Sequence, residues 1–217
     1  MKCTKRVFLF SLGLTALCAV APVIQAQTLY NVNINTTGLN GTGGGLAFDL
    51  ISGDSATPNN TALITGFATD GTLVAGGNTS TGAASGNLPG TVTLHDSAFS
   101  ESFRGETFGK NLSYTLSLTN NFVGPGAPDE FSFFLTNPTN TGTVVTTSDP
   151  TGANALFILD LDGTAGNALT VFTPRTPGVS YTVNPARLTV PEGSSFALFL
   201  PGLLAGGMLV LSRRRRH

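Results

Sequence analysis

The sequence predicts an all-β domain, an antiparallel β-sandwich of jelly-roll-like topology, flanked by an N-terminal signal peptide and a single C-terminal transmembrane helix. Three observations carry this. Apolar residues alternate with Ser, Thr and Asn over many short runs, as strands with one buried and one wet face require. Clusters of Gly, Asn, Asp and Pro separate those runs. The two ends of the chain are apolar and uncharged over a stretch, each beside a basic group.

The N-terminal element comes first. "MKCTKR" is a basic head, "VFLFSLGLTALCAV" an apolar run, and "APVIQA" a small-residue exit ahead of polar "QTLY". This is the order of a secretory signal peptide. It occupies residues 1–26, with cleavage expected between Ala26 and Gln27. A lipoprotein leader does not fit, because Leu17 precedes Cys18 where a small residue is needed. Both cysteines, Cys3 and Cys18, fall in the leader. The exported chain therefore has no disulfide, thiolate or cysteine metal site, and must hold its fold by core burial.

The strands follow, within a domain expected over residues 27–189. Thr, Ser and Asn make up 57 of the 164 residues from 27 to 190, which favours sheet and turn over helix. Alternation places Tyr30, Val32 and Ile34 on one face, then Leu46, Phe48 and Leu50, then Val92 and Leu94. The clearest case is "NLSYTLSLT", with Leu112, Tyr114, Leu116 and Leu118 in step. Phe131, Phe133 and Leu135 follow, then Leu169 and Val171, then Val179, Tyr181 and Val183. "ALFILDLD" is more continuously apolar and reads as a central strand buried on both faces. About ten strands are expected in all. The segment 75–90, "AGGNTSTGAASGNLPG", lacks bulk and reads as a long mobile loop with room for one short strand.

The C-terminal element closes the chain. Phe196 to Ser212 is a 17-residue run without charge. As a helix it spans roughly 26 Å, close to the ~30 Å hydrocarbon core of a bilayer. Arg213, Arg214, Arg215 and Arg216 then form a stop-transfer signal that stays cytoplasmic and leaves the long middle outside. Between 27 and 190 four basic residues stand against eleven acidic ones, a balance of −7 hidden by the charged ends. Such a domain does not bind nucleic acid through phosphates.

"VPEGSSFALFLPGLLAGGMLVLSRRRRH" resembles the PEP-CTERM sorting signal of Gram-negative bacteria: a Pro-Glu motif, one apolar span and a basic tail. The motif is Val190, Pro191 and Glu192, with Gly193 where that family usually carries a second proline; the segment is 190–217, its span 196–212 and its tail 213–217. The resemblance implies export through the Sec machinery and anchoring in the inner membrane. It further implies processing near Pro191-Glu192 by an exosortase, and release to the cell surface or an exopolysaccharide matrix in a biofilm setting. The stretches "FATDGTL", "GNLPGTVTLHDSAFSESFRGETFG" and "NLSYTLSLT" are also similar to a group of PEP-CTERM proteins over about residues 28–173, a likeness that speaks for fold and address.

Candidate chemistry is sparse. His95, Asp96 and Ser97 are consecutive, so strand geometry turns their side chains to opposite faces, which a nucleophilic triad does not tolerate. Glu101 and Glu106 flank Arg104 and offer a carboxylate pair of the kind glycoside hydrolysis uses, although a charged loop with a local salt bridge is the simpler reading. Asp160 and Asp162, with Asn167, surround Gly163 in an incomplete calcium loop that reads more simply as a β-turn. No catalytic residue and no cofactor other than calcium is expected. The leading expectation is a non-catalytic structural or interaction protein. A carbohydrate-binding module is the alternative, calling for a concave sheet face with exposed aromatics, and a glycosidase comes third.

Overall fold

A computed structural model of the chain describes residues 27–54, 58–123, 125–164 and 168–186. The expected signal peptide and the expected sorting segment lie outside the described residues. So do Ala26, Val190, Pro191, Glu192 and Arg213 to Arg216. Among the described residues no helix is long and apolar enough to cross a membrane, and the span expected at 196–212 lies beyond them.

The described chain forms strands β1 (Gln27–Asn35), β2 (Gly43–Ile51), β3 (Thr61–Thr69), β4 (Thr72–Thr81), β5 (Ala84–Gly86) and β6 (Val92–His95). It continues with β7 (Phe99–Thr107), β8 (Asn111–Thr119), β9 (Asp129–Thr136), β10 (Phe157–Leu161), β11 (Ala168–Val171) and β12 (Ser180–Ala186). A single 3-10 turn, Thr37–Leu39, follows β1. One six-stranded sheet runs β12-β1-β8-β3-β6-β5 and the other β11-β10-β9-β2-β7-β4. The named pairings are antiparallel throughout. β1 pairs with β8, β2 with β7 and β3 with β6, a nested set, so each pair encloses the next in sequence.

The alternating residues meet between the sheets. Phe48 of β2 and Phe133 of β9 come from one sheet and Tyr114 of β8 from the other. Their ring centroids lie 5.0 to 5.4 Å apart, with Tyr114 edge-on to Phe48. Phe157 of β10 extends the cluster to Phe133 at 5.8 Å and to Tyr181 of β12 at 6.2 Å. Aromatic burial of this kind dominates core energetics, and the tilted and edge geometries suit the ring quadrupoles. The Tyr181 hydroxyl donates to the carbonyls of Leu156 and Phe172 and accepts from the Phe172 amide, tying β12 to the segments around β10 and β11.

Three expectations change. The segment 75–90 is mostly sheet: β4 runs to Thr81 and β5 covers Ala84–Gly86, because Asn78 to Thr81 find partners on β7. A register shift between Leu73 and Asn78 accommodates the glycines Gly76 and Gly77. β10 is not buried on both faces: Phe157, Leu159 and Leu161 are buried while Ile158 and Asp160 are half-exposed. Among the described residues twelve strands stand where about ten were expected; β3, β4 and β7 are the ones no alternating run had marked, because polar outward residues interrupt their apolar runs.

β1 and β12 lie side by side with Leu29 opposite Ala186, and Gln27 faces Thr119 of β8. The first and last described strands therefore begin and end at the same end of the sandwich. The β2–β3 connection reaches that end too, since Thr61 pairs with His95 and Ala62 with Leu118.

Candidate functional site

Two groups of acidic residues emerge from this register. The first lies across the outer face of the β2 sheet. In "LAFDLI" the inward set is Leu46, Phe48 and Leu50, so Asp49 and Ile51 point outward. The pairing sets Asp49 directly opposite Glu101 of β7, Ile51 opposite Phe99 and Glu130 of β7 and β9, and Glu130 opposite Asp160 of β10. Four carboxylates thus form a row over four adjacent strands. Phe99 is 41% exposed and Ile51 38%, so the row runs beside an apolar step.

Like charges directly opposite destabilise a sheet. Asp49, Glu130 and Asp160 are all shifted toward protonation. Burial first, then the charge and hydrogen bond of Glu101, then the charge of Glu130, push the Asp49 carboxyl up to about 7. Its Oδ1 is buried and accepts no hydrogen bond from the described residues. Burial followed by Asp160 and Asp149 raises Glu130, and burial followed by Asp162 raises Asp160. Asp49 and Glu101 thus stand directly opposite each other, and Asp49 is raised by burial and by the charge of Glu101.

The second group sits at the end where β1 begins and β12 stops. Asn60 is its hub. Its backbone N–H donates to Asp96 Oδ2 at 3.0 Å, and its Nδ2 donates to Asp129 Oδ2 at 2.8 Å and to the Asn121 carbonyl at 2.7 Å. Its Oδ1 accepts from the Asn121 amide at 2.8 Å and from Thr119 Oγ1 at 3.2 Å. Asp129 Oδ1 accepts from the amides of Gly53 and Asp54, and Asp96 Oδ2 also accepts from the Asn59 amide. Asp54 Oδ2 accepts from Asn59 Nδ2 and the Val123 amide. Asp54, Asn60, Asp96 and Asp129 are all buried, Asp129 and Asn60 to within 1% of complete. The network satisfies backbone donors that loops at a buried end would otherwise leave open.

The sequence candidates distribute as follows. His95 is the exposed last residue of β6, with Nδ1 3.0 Å from Thr61 Oγ1, while the Asp96 carboxylate turns inward. Glu101 and Glu106 are five apart on strand β7, not in a charged loop, and so face opposite ways. Glu106 is fully buried and accepts from Thr69 Oγ1, with burial raising its carboxyl above the usual range. Arg104 is inward and hydrogen-bonds Asn78 and Asn87 rather than either glutamate, which corrects the local salt bridge. Asp162 accepts from the amide and hydroxyl of Thr164, the expected turn, and these bonds lower its carboxyl. Asp160 points into the carboxylate row, and Asn167 lies outside the described residues. Among the described residues no three His, Cys, Asp or Glu gather in a way that could hold a metal ion. Gln27, expected to start the exported chain, pairs with Thr119 of β8, and Ala26 lies outside the described residues.

The buried network was missed in the sequence because the partners that join its loops lie 36 to 76 positions apart, Asp54 and Asn59 alone being near neighbours. The only local signal was the Asn pair of "TPNN", read as a turn. Comparison with family models, with curated proteins and with solved structures yields no match.

Proposed function

We propose that this is an exported surface or extracellular-matrix protein with a non-catalytic structural or interaction role in an exopolysaccharide or biofilm setting. In this reading the twelve strands are an elaborated jelly roll, for which the nested β1·β8, β2·β7 and β3·β6 pairs speak. The leader is removed after Ala26, the span 196–212 anchors the chain in the inner membrane, and an exosortase processes it near Pro191-Glu192. The observation that carries the reading is the pairing of β1 with β12, Leu29 opposite Ala186, which sets both ends of the described domain at one end of the sandwich, where a leader and a tail could both attach without crossing the fold. Mass measurement of both termini of the exported protein tests it. Termini at Gln27 and near residue 191 are expected; an intact C-terminus ending in Arg216-His217 on the matrix form contradicts it.

A second reading, a carbohydrate-binding module, draws support from exposed Phe99 beside the carboxylate row. The outer face of the other sheet speaks against stacking there, since Asn31, Asn33, Ser113, Thr115 and Thr182 line it without an aromatic. Loss of exopolysaccharide retention in Phe99→Ala, with folding intact, would favour this second reading.

A further inference from the structure

The acids of the buried network are arranged unevenly. Asp129 receives donors on both oxygens, from Gly53, Asp54 and Asn60. Asp96 receives two on Oδ2, while its Oδ1 is buried and has no hydrogen-bond partner. Asp96 is only 2% exposed. Asn60 holds both carboxyls at once, one through its backbone and one through its side chain, which brings them together. No basic side chain hydrogen-bonds Asp96 or Asp129 among the described residues. Two adjacent ionised carboxylates in such a place are costly unless a proton or a cation lies between them. Asp96 Oδ1, buried and without a hydrogen-bond partner, is the atom placed to carry such a proton.

We propose that Asp96 and Asp129 share one buried proton, and that this proton latches the loops at the end of the sandwich from which the C-terminal segment departs. The proton sits on Asp96 Oδ1, the atom without a protein donor, and is donated to Asp129. Burial, with the neighbouring Asp129, raises the Asp96 carboxyl above its usual range. Asp54, on the β2–β3 connection, is the other acid facing these loops and sits across Asn59. His95 is engaged with Thr61 on the outer face, and Asp162 with its own turn. Loss of the proton sets two carboxylates against each other and frees the amides of Asn59 and Asn60. The latch therefore holds in acid and loosens as pH rises through the folded value of the pair.

Hydrogen exchange on the full-length chain between pH 5 and 9, corrected for intrinsic rates, tests this. Protection of the Asn59 and Asn60 amides should fall about tenfold or more over that range, one pKa unit being worth a factor of ten. Amides of Tyr114 and Leu116 should hold. Asp96→Asn, which keeps an acceptor and supplies a permanent donor, should make the loop protection independent of pH. Flat protection in the unmodified chain overturns the proposal, whether or not the variant folds. So does parallel loss in β8, or restoration at pH 9 by millimolar calcium chloride, which would place a cation between the acids instead.

Discussion

Asp49 and Glu101 face each other directly across β2 and β7 on an outer sheet face, two acids where a sheet ordinarily sets an acid against a base. Their coexistence depends on Asp49 keeping its proton to about pH 7. An acid whose folded value is raised makes the folded state bind the proton more tightly than the unfolded state does. Its stabilisation is complete below the ordinary value of 3.8 and is lost as pH rises to about 7. Glu130, Asp160, Asp96 and Glu106 are shifted in the same direction.

The domain should therefore be more stable at pH 4.5 than at pH 8. Asp49→Asn should flatten that slope and raise the pH 8 stability by about 1 kcal/mol or more, each pKa unit being worth ~1.4 kcal/mol before solvent screening. Thermal melts across pH check both statements.

Tyr114 and Tyr181 should respond oppositely to loss of their hydroxyls. The Tyr114 hydroxyl is buried without a hydrogen-bond partner, and burial raises it well above its usual range. Tyr114→Phe should be neutral or stabilising. Tyr181, raised by burial to about 12, makes three hydrogen bonds, so Tyr181→Phe should cost about 1–3 kcal/mol. Chemical denaturation of the two variants in parallel provides the comparison.

Asn60→Ala removes four side-chain hydrogen bonds, to Thr119, Asn121 and Asp129, and takes the Asn60 donor from the buried Asp129 Oδ2. A loss of about 2–4 kcal/mol is expected, with the largest loss of amide protection in the adjoining loops. Denaturation and hydrogen exchange report the two effects separately.

Gly44→Ala tests the close approach of β2 to its neighbours. A Cβ there would lie 2.2 Å from the Phe108 ring and 2.7 Å from the Thr136 carbonyl. The ring can shift but the strand carbonyl cannot, so a cost of about 1–3 kcal/mol is expected in an equilibrium melt.

The all-β class and most strands were legible because alternation is a local signal: Leu112, Tyr114, Leu116 and Leu118 of β8 are all buried as their spacing requires. β4 was not, because its glycines conceal a strand whose partners lie on β7, about 20 to 35 positions later. The carboxylate row was hidden for the same reason. Asp49, Glu101, Glu130 and Asp160 come from four strands, and only the register aligns them. Asn60 looked like a turn residue, and its place as a hub comes from loops distant in sequence.

Localisation with and without residues 190–217 tests the central claim most directly. The account predicts that the full-length chain passes through the inner membrane to the cell surface or matrix, and that the truncated chain is exported but fails to reach it. An unchanged surface or matrix location after removal of Val190 to His217 would contradict the account.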